Sequence, residues 1–553
     1  MKISSTVLLI SSALVSIGAA AAADPDTTFE MLDSFREPKN IAFSAMVGGS
    51  SHIVWVLSIL EELASNRGHN TYFFTREDQT NFGKNYPSVE TVSVGPSYQF
   101  AEHREKIMEE RRKKPVIDSF VTLLDILGSE FEPDYLGLSE QFKSKKIDLA
   151  ICDHFNSACV EASIASNIPF IITACAGLSP DAGAPYINNH IATMHIPTSA
   201  HMSLWQRLDG KFIKPVQFVY KLRHFIKKQR ALYKSLGIKD PVNAPEMRWE
   251  NSLKIFNTAF GFDLARPLGP LVEYVGPIVA SKAPALTPEL VEFFETHKKV
   301  AYVAFGQHAI AISEDVKLLM TGLLEAYEAQ ELDGIIWATR GLEKAFPDYL
   351  ITQSNTTYNV RSFFDNNSKK DITFINWAPQ IAILNHPSTN MFITHGGAGS
   401  LYESLNAGVR VVVFPFFGDQ PASAQIAEDN GIGLKLHYTD SEEKAVEVIR
   451  KVARDECRFF QGNANRYKAI VQLNSQFGVL KAANLVEEVL FTHRDGELIH
   501  RRDVKRDMSF FKATNMDLYA IAFTMVTGSV LVLTHLMRKA ISSYSLSRKL
   551  KTN

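Results

Sequence analysis

Phe392-Ile-Thr-His395-Gly-Gly-Ala-Gly399-Ser400-Leu-Tyr-Glu403 reads as an apolar strand, a glycine-rich turn after His395, and a helix that opens near Ser400. Such a turn presents backbone N–H groups at a helix start, and together with the helix dipole they make a site for an anion. His395 adds a donor, and Glu403 falls one turn into the helix, where a ribose hydroxyl would need an acceptor. Upstream, Trp377-Ala378-Pro-Gln380 offers an aromatic face for a base. Downstream, Phe417-Gly-Asp419-Gln420-Pro421 offers polar groups for sugar hydroxyls at the end of the next strand. The dinucleotide fingerprint G-x-G-x-x-G fails, because its last position is Tyr402, and neither G-x-x-x-x-G-K-[ST] nor G-x-S-x-G occurs.

The same alternation extends in both directions. Ile41–Met46, Asn70–Thr75, Asp148–Cys152 and Pro169–Thr173 are candidate strands in the first half. Val300–Gly306, Gly334–Thr339, Ile372–Asn376, Met391–His395 and Val409–Pro415 are their counterparts in the second. Helical stretches between them argue for parallel sheets covered on both faces, that is, an α/β chain of two doubly wound, Rossmann-like domains facing a cleft. The proline- and glycine-rich stretch from Arg266 to Pro277 reads as the linker. After the first strand, Gly48-Gly49-Ser50-Ser51-His52 opens a helix, with the serines as N-caps and Gly68 closing it. His52 thus stands at a helix N-terminus beyond a strand's carboxyl end, where ligands of open α/β sheets bind. The helix dipole there favours a neutral imidazole. Asp153 ends a neighbouring strand within reach of it; spacing alone leaves a capping histidine and a loop aspartate as the plainer reading.

Composition narrows the classes. Lys plus Arg total 58 and Asp plus Glu 60, a formal charge of -2, so there is no basic excess to bind nucleic acid. Cys152, Cys159, Cys175 and Cys457 are too few for a disulfide framework and read as buried free thiols. Lys2, the apolar run from Val7 to Ile17 and Ala19–Ala23 describe a secretory signal peptide cleaved before Asp24. Leu518–Met537 is uncharged and long enough to span a bilayer. Arg538, Lys539, Arg548, Lys549 and Lys551 follow it, which places the tail in the cytosol and the body in the lumen. The ending Lys549-Leu-Lys551-Thr-Asn553 resembles a dilysine retrieval signal, so an endoplasmic reticulum, single-pass type I membrane glycoprotein is expected, with sequons at Asn355 and Asn366. Glu102–Lys114 reads as a solvated helix. Lys221–Lys239, with Phe218, Leu222, Phe225, Leu232 and Leu236 at helical spacing, reads as a basic surface helix or a second membrane contact.

The block Trp377-Ala-Pro-Gln380, His386-Pro, Thr394-His395-Gly-Gly, Glu403, Gly408-Val409, Pro415 and Asp419-Gln420 resembles the donor signature of family 1 UDP-glycosyltransferases. The front end is similar through Ser51-His52, Leu63-Ala-Ser-Asn-Arg-Gly-His69 and the Asp153 strand. The resemblance implies a GT-B fold: signal peptide 1–23, acceptor domain 24–265, UDP-sugar domain 278–490, transmembrane helix 518–537 and tail 538–553. It implies His52 as general base, oriented by Asp153. Trp377 would stack on uracil, and Gln380 and Glu403 would hold the uridine. His395 and the Gly397, Gly399 and Ser400 turn would take the diphosphate in place of a metal. Asp419 and Gln420 would meet the sugar, and Ala378 and Gln307 complete the donor set. No cofactor or metal is expected, and the only Asp-x-Asp is Asp24-Pro-Asp26. The implied reaction is inverting transfer of glucose, with glucuronic acid as the alternative, to a small lipophilic hydroxyl. A dedicated sphingolipid or sterol transferase and a non-catalytic UDP-sugar-binding membrane protein are the other readings, and oligomeric state is left open. The chain departs from the family at Gly399 and Ser423, where asparagines are frequent, and at Ala304-Phe-Gly-Gln307, where the usual fourth residue is serine.

Overall fold

The computed structural model describes residues 35–97, 118, 121, 124, 125, 128–175, 182–188, 198–239, 247–280, 283–364 and 371–550. The signal segment, Asp24-Pro-Asp26, the run Glu102–Lys114, the sequon at Asn366 and the last three residues lie outside them. The chain divides into two units, Met1–Glu37 and Pro38–Asn553, and the second contains both sheets.

The first sheet is built from β1 (Asn40–Ser44), β2 (Asn70–Thr75), β3 (Val89–Ser93), β4 (Leu149–Asp153), β5 (Phe170–Ala174), β6 (Lys254–Phe256) and β7 (Val272–Tyr274), in spatial order 3-2-1-4-5-6-7. Each of its pairings is parallel, with Ile41 opposite Thr71 on one side and Leu149 on the other. The second sheet takes β8 (Val300–Ala304), β9 (Gly334–Ala338), β12 (Ile372–Ile375), β13 (Thr389–Thr394), β14 (Arg410–Val413) and β15 (Gly433–Lys435) in the order 12-9-8-13-14-15, again all parallel. A small antiparallel pair, β10 (Tyr349–Ile351) with β11 (Thr357–Asn359), stands beside it and carries the exposed sequon residue Asn355 at its turn. Central strands such as Ile41-Ala42-Phe43 and Val411-Val412-Val413 are wholly buried because helices cover both faces.

The two sheets wind alike. Strand order reverses between β1 and β4 in the first and between β8 and β13 in the second. At such a switch point the connections leave in opposite directions and open a crevice beyond the carboxyl ends.

Two sequence expectations are corrected. The stretch from Arg266 to Pro277 is more than a linker, since Val272–Tyr274 pairs with β6 as the sheet's last strand; three residues are too few to show a period. Cys152 and Cys159 are joined in a disulfide, Cys175 is a buried thiol and Cys457 is exposed. The turn from the end of β4 into the helix Ser157–Ala165 folds the chain back and brings those two Cα atoms within 5.7 Å.

The helices that matter below are α1 (Ser50–Ser65), α2 (Ser157–Ala165), α3 (Lys214–Ser235), α4 (Ala398–Ala407), α5 (Gln420–Asp429), α6 (Phe459–Thr492) and α7 (Met516–Leu550). α6 crosses the molecule: Ala464, Tyr467 and Val471 join the core of the second half, and Ala482, Ala483, Val486 and Val489 join that of the first. Near its end Glu487 is buried against Arg67 and against His69, whose Nε2 lies 3.1 Å from Oε1. α7 is exposed over Met516–Arg548, and that stretch is long and apolar enough to cross a membrane. Replacing Glu487 by Ala takes the carboxylate from buried His69 and leaves Arg67 with Glu62 as its remaining acid; unfolding free energy measured by denaturant titration is expected to fall by about 3 kcal/mol.

Candidate active site

The loop after β1 is set by two glycines. Gly48 has φ of 100°, and a Cβ there would come within 2.3 Å of the His52 ring, so only glycine lets the imidazole fold back over the turn. The N-cap of α1 is Gly49 and no side chain caps it, contrary to the expectation for the serines. The Ser50 N–H donates instead to Gln307 Oε1 at 3.1 Å, from the loop after β8 in the other half.

His52 Nδ1 lies 2.8 Å from Asp153 Oδ2, and the two side chains are 13% and 1% exposed. Asp153 Oδ1 accepts from the Phe155 N–H at 3.0 Å. His154 Nδ1 stands 3.7 Å from the same Oδ2, and its ring stacks 5.3 Å from that of His52. Burial works against the imidazolium, but the charge and hydrogen bond of Asp153, with Asp419 across the cleft, outweigh it, and the His52 pKa is raised above 6.5. The sequence suggested a neutral imidazole favoured by the helix dipole; the buried Asp153 carboxylate favours the charged form instead. Asp153 loses solvation on burial, yet the neighbouring imidazoles His52 and His154 hold its pKa well below the usual carboxylate range. Asp419 moves the other way, raised by burial, and feels both histidines. Among the described residues, His52, Asp153 and His154 offer ligand atoms within 4.8 Å of one another, so a cation there would compete with the dyad's own hydrogen bond.

Across the cleft, β13 delivers His395 to the uncapped start of α4. Gly306 makes room for the ring, since a Cβ there would lie 2.7 Å from its Cε1. Burial, with His308 and the Arg340 cation nearby, pushes the His395 pKa down to about 3, and its Nδ1 has no protein partner among the described residues. His395 is thus neutral. Gln380 Nε2 donates to Glu403 Oε2 at 2.6 Å and to Ser400 Oγ at 3.1 Å, which ties three expected donor residues together. Burial raises the Glu403 pKa to about 7, against the opposing Gln380 bond. Trp377 is 66% exposed, so its face is open to a base. Ala378 takes the Gln380 N–H on its carbonyl, and Gly397 is the N-cap of α4. Gly399 lies against Ser51 of α1, a Cβ there reaching to 3.2 Å of the serine's. The N-termini of α1 and α4 therefore converge. Asp419 is the N-cap of α5, whereas Gln420 is buried and its Oε1 accepts the Phe416 and Phe417 N–H groups at 2.8 and 3.1 Å, so that oxygen is committed to the loop.

Arg340 went unnoticed in the sequence. Its guanidinium donates to the Gly306 carbonyl and lies 5.6 Å from the Trp377 ring centre, which brings a cation beside the anion site. A lone arginine after a strand carries no spacing signal. His154 was equally silent, although it follows Asp153 directly.

Two Rossmann-like halves with a His–Asp pair on one side and an anion-binding helix start on the other describe a GT-B fold. Solved structures share it: the glycotransferase of kitacinnamycin, with a TM-score of 0.57 at 16% identity over 82% of this chain and 99% of that one, and a UDP-glucose:anthocyanidin 3-O-glucosyltransferase in complex with UDP, with 0.55 at 18% over 82% and 100%. The chain belongs to the family described as UDP-glucoronosyl and UDP-glucosyl transferase, whose model matches residues 134–550. A UDP-glycosyltransferase of Talaromyces amestolkiae is 31% identical over 353 residues, 60% of this chain and 65% of that protein's length. The chain thus spans 65% of that relative. UDP-glucuronosyltransferase 3A1 of Xenopus laevis is 22% identical over 91% of this chain and 94% of its own.

Asp153→Asn removes the charge that raises His52, so the imidazole pKa followed by NMR is expected to fall. Linkage gives a second readout. Because the folded pKa is raised, the dyad's stabilisation is complete below the unfolded value of about 6.5 and is lost as pH rises through the folded one. The variant should lack that pH-dependent component of stability.

Proposed function

We propose that the protein is an inverting UDP-glycosyltransferase in which His52 deprotonates the hydroxyl of a lipophilic acceptor. The observation that carries this reading is the buried His52–Asp153 bond of 2.8 Å at the first switch point, facing the uncapped α4 terminus at the second. With Nδ1–H donating to Asp153, Nε2 is the nitrogen left to accept a proton. The acceptor oxygen attacks the anomeric carbon from the side opposite the diphosphate, so an α-linked donor gives a β-glycoside. Charge then grows on the leaving UDP. The α4 N–H groups, His395 as a neutral donor and Arg340 as the cation support it without reorganising. Trp377 stacks on uracil, Gln380 and Glu403 hold the uridine, and Asp419 takes sugar hydroxyls. Glucose is the proposed sugar, with glucuronic acid as the alternative.

The reading extends to location. α7 and the basic residues Arg538, Lys539, Arg548 and Lys549 support a single-pass protein of the endoplasmic reticulum membrane with its body lumenal and its tail cytosolic.

Acceptor-dependent UDP release tests the activity. Detergent-solubilised protein is given UDP-glucose or UDP-glucuronic acid with pooled phenols, sterols and ceramides. Release is expected with UDP-glucose and should vanish in His52→Ala, which still binds UDP. Equal turnover by wild type and His52→Ala would sink the mechanism. Trp377→Ala is expected to weaken UDP binding by about 1–3 kcal/mol in calorimetry. The rate should rise with pH through the raised His52 pKa, and Asp153→Asn should shift that limb to lower pH while reducing its plateau.

A further inference from the structure

The helix that ends in α3 begins ten residues earlier. Leu204–Leu208 is α-helical, Asp209–Ile213 forms a π-helical turn, and Lys214–Ser235 continues with helical dihedrals at both junctions. One face is committed to the protein. Leu222 is buried, and Leu232, Tyr233 and Leu236 pack against the core cluster that holds Phe131, Phe142 and Ile238. That is the apolar row read from the sequence, and it serves the fold.

A second apolar row lies on the outside. Leu204, Leu208, Phe212, Val216 and Tyr220 follow one another at intervals of four, flanked by Trp205 and Val219. Leu204, Trp205, Phe212, Val216 and Tyr220 are 63–70% exposed, and Leu208 and Val219 are 41% and 58% exposed. A spacing of four drifts about 40° per step around an α-helix; the π turn, with more residues per turn, takes up part of that drift and keeps the row on one side. Beyond Tyr220 the outer face changes character. Arg223, Lys227, Lys228, Arg230 and Lys234 are all exposed, and Arg223 stands 4.0 Å over the Tyr220 ring. From Gly210 to Lys239 the chain contains no acid.

We propose that this outer face docks on an anionic lipid bilayer, the row from Leu204 to Tyr220 entering the acyl boundary and the cations from Arg223 to Lys234 meeting lipid phosphates. A convex ridge of large apolar side chains suits a deformable lipid surface, and an aromatic–basic composition is that of interfacial helices. A second copy of the chain is a poorer occupant, because it would bring the same cations and no acid between Gly210 and Lys239 to pair them. The contact is distinct from α7: it belongs to the half that carries His52, and it would hold that half against the surface from which lipophilic molecules partition. The docking itself does not depend on the transferase reading.

Tryptophan fluorescence tests it on the full chain in nanodiscs. Of the five tryptophans, Trp55, Trp249 and Trp337 are buried, Trp205 and Trp377 are exposed, and α7 has none. Lipids brominated on the acyl chains quench only an indole that reaches them. Quenching is expected in the wild type, should be largely lost in Trp205→Phe and should persist in Trp377→Phe. It should increase with phosphatidylserine and decrease with salt. Phe212→Glu with Val216→Glu should lower it by about twofold or more with an unchanged melting temperature, since both positions are surface-exposed. Quenching that survives Trp205→Phe, or a Trp205 that remains bright in anionic discs, overturns the proposal. Cross-linking of two chains through Phe212→Cys, in a Cys457→Ser background, without quenching would assign the face to a second copy.

Discussion

A crevice at a switch point is half a site, and what makes it whole here is α6. This helix starts in the core of the second half and ends in that of the first. Glu487 fixes its far end by taking Arg67 and His69 from the segment just after α1. α1 is also the helix whose first turn carries His52. The packing that closes the second half thus sets the position of His52 in the first. A buried ion pair contributes little net stability against an apolar substitute, but it tolerates no misplacement, and here register is what the cleft needs.

The cleft sorts its two principal histidines by partner rather than by depth. Both His52 and His395 are taken out of water, which by itself lowers an imidazole pKa. His52 has Asp153 against its ring, and the balance turns upward; His395 has Arg340 and His308 near it, and the balance falls to about 3. In the proposed reaction the first ring is the proton acceptor, and Asp153 favours its charged form. The second stays neutral beside the Arg340 cation. The same residue type is thus held in opposite protonation balance on the two sides of the cleft, and the neighbours decide which.

Much of this was legible in the chain. The long apolar runs gave nine of the thirteen strands of the two sheets to within about two residues, because parallel strands buried on two faces need continuous apolar sequence. The turn after His395 and the Asp153 strand were equally visible. The short strands Lys254–Phe256, Val272–Tyr274 and Gly433–Lys435 were not, since three residues have no period. The edge strand Val89–Ser93, with polar residues at three of its five positions, was also missed. Arg340 and His154 gain meaning only from neighbours far off in sequence. The outer row from Leu204 to Tyr220 was overshadowed by the row that packs inward, because two apolar faces on one helix look like one broad face until burial separates them.

Two of the three departures from the family's donor pattern, Gln307 and Gly399, meet the opposing half; Ser423 is the exception. Gln307 stands where a serine is usual, and its Oε1 accepts the Ser50 N–H across the cleft. Gly399 stands where an asparagine is frequent, and it lies against Ser51. Tyr402, which breaks the dinucleotide fingerprint, sets its hydroxyl 3.3 Å from the Cys175 carbonyl oxygen and 3.1 Å from Thr258 Oγ1 in the first half. Each of these positions touches the opposing half. Gln307 occupies the start of the helix that bears His52, so a side chain of the second half takes part in placing that histidine. The two halves are thereby coupled at the mouth of the cleft, where the proposed reaction would bring the acceptor hydroxyl against the sugar.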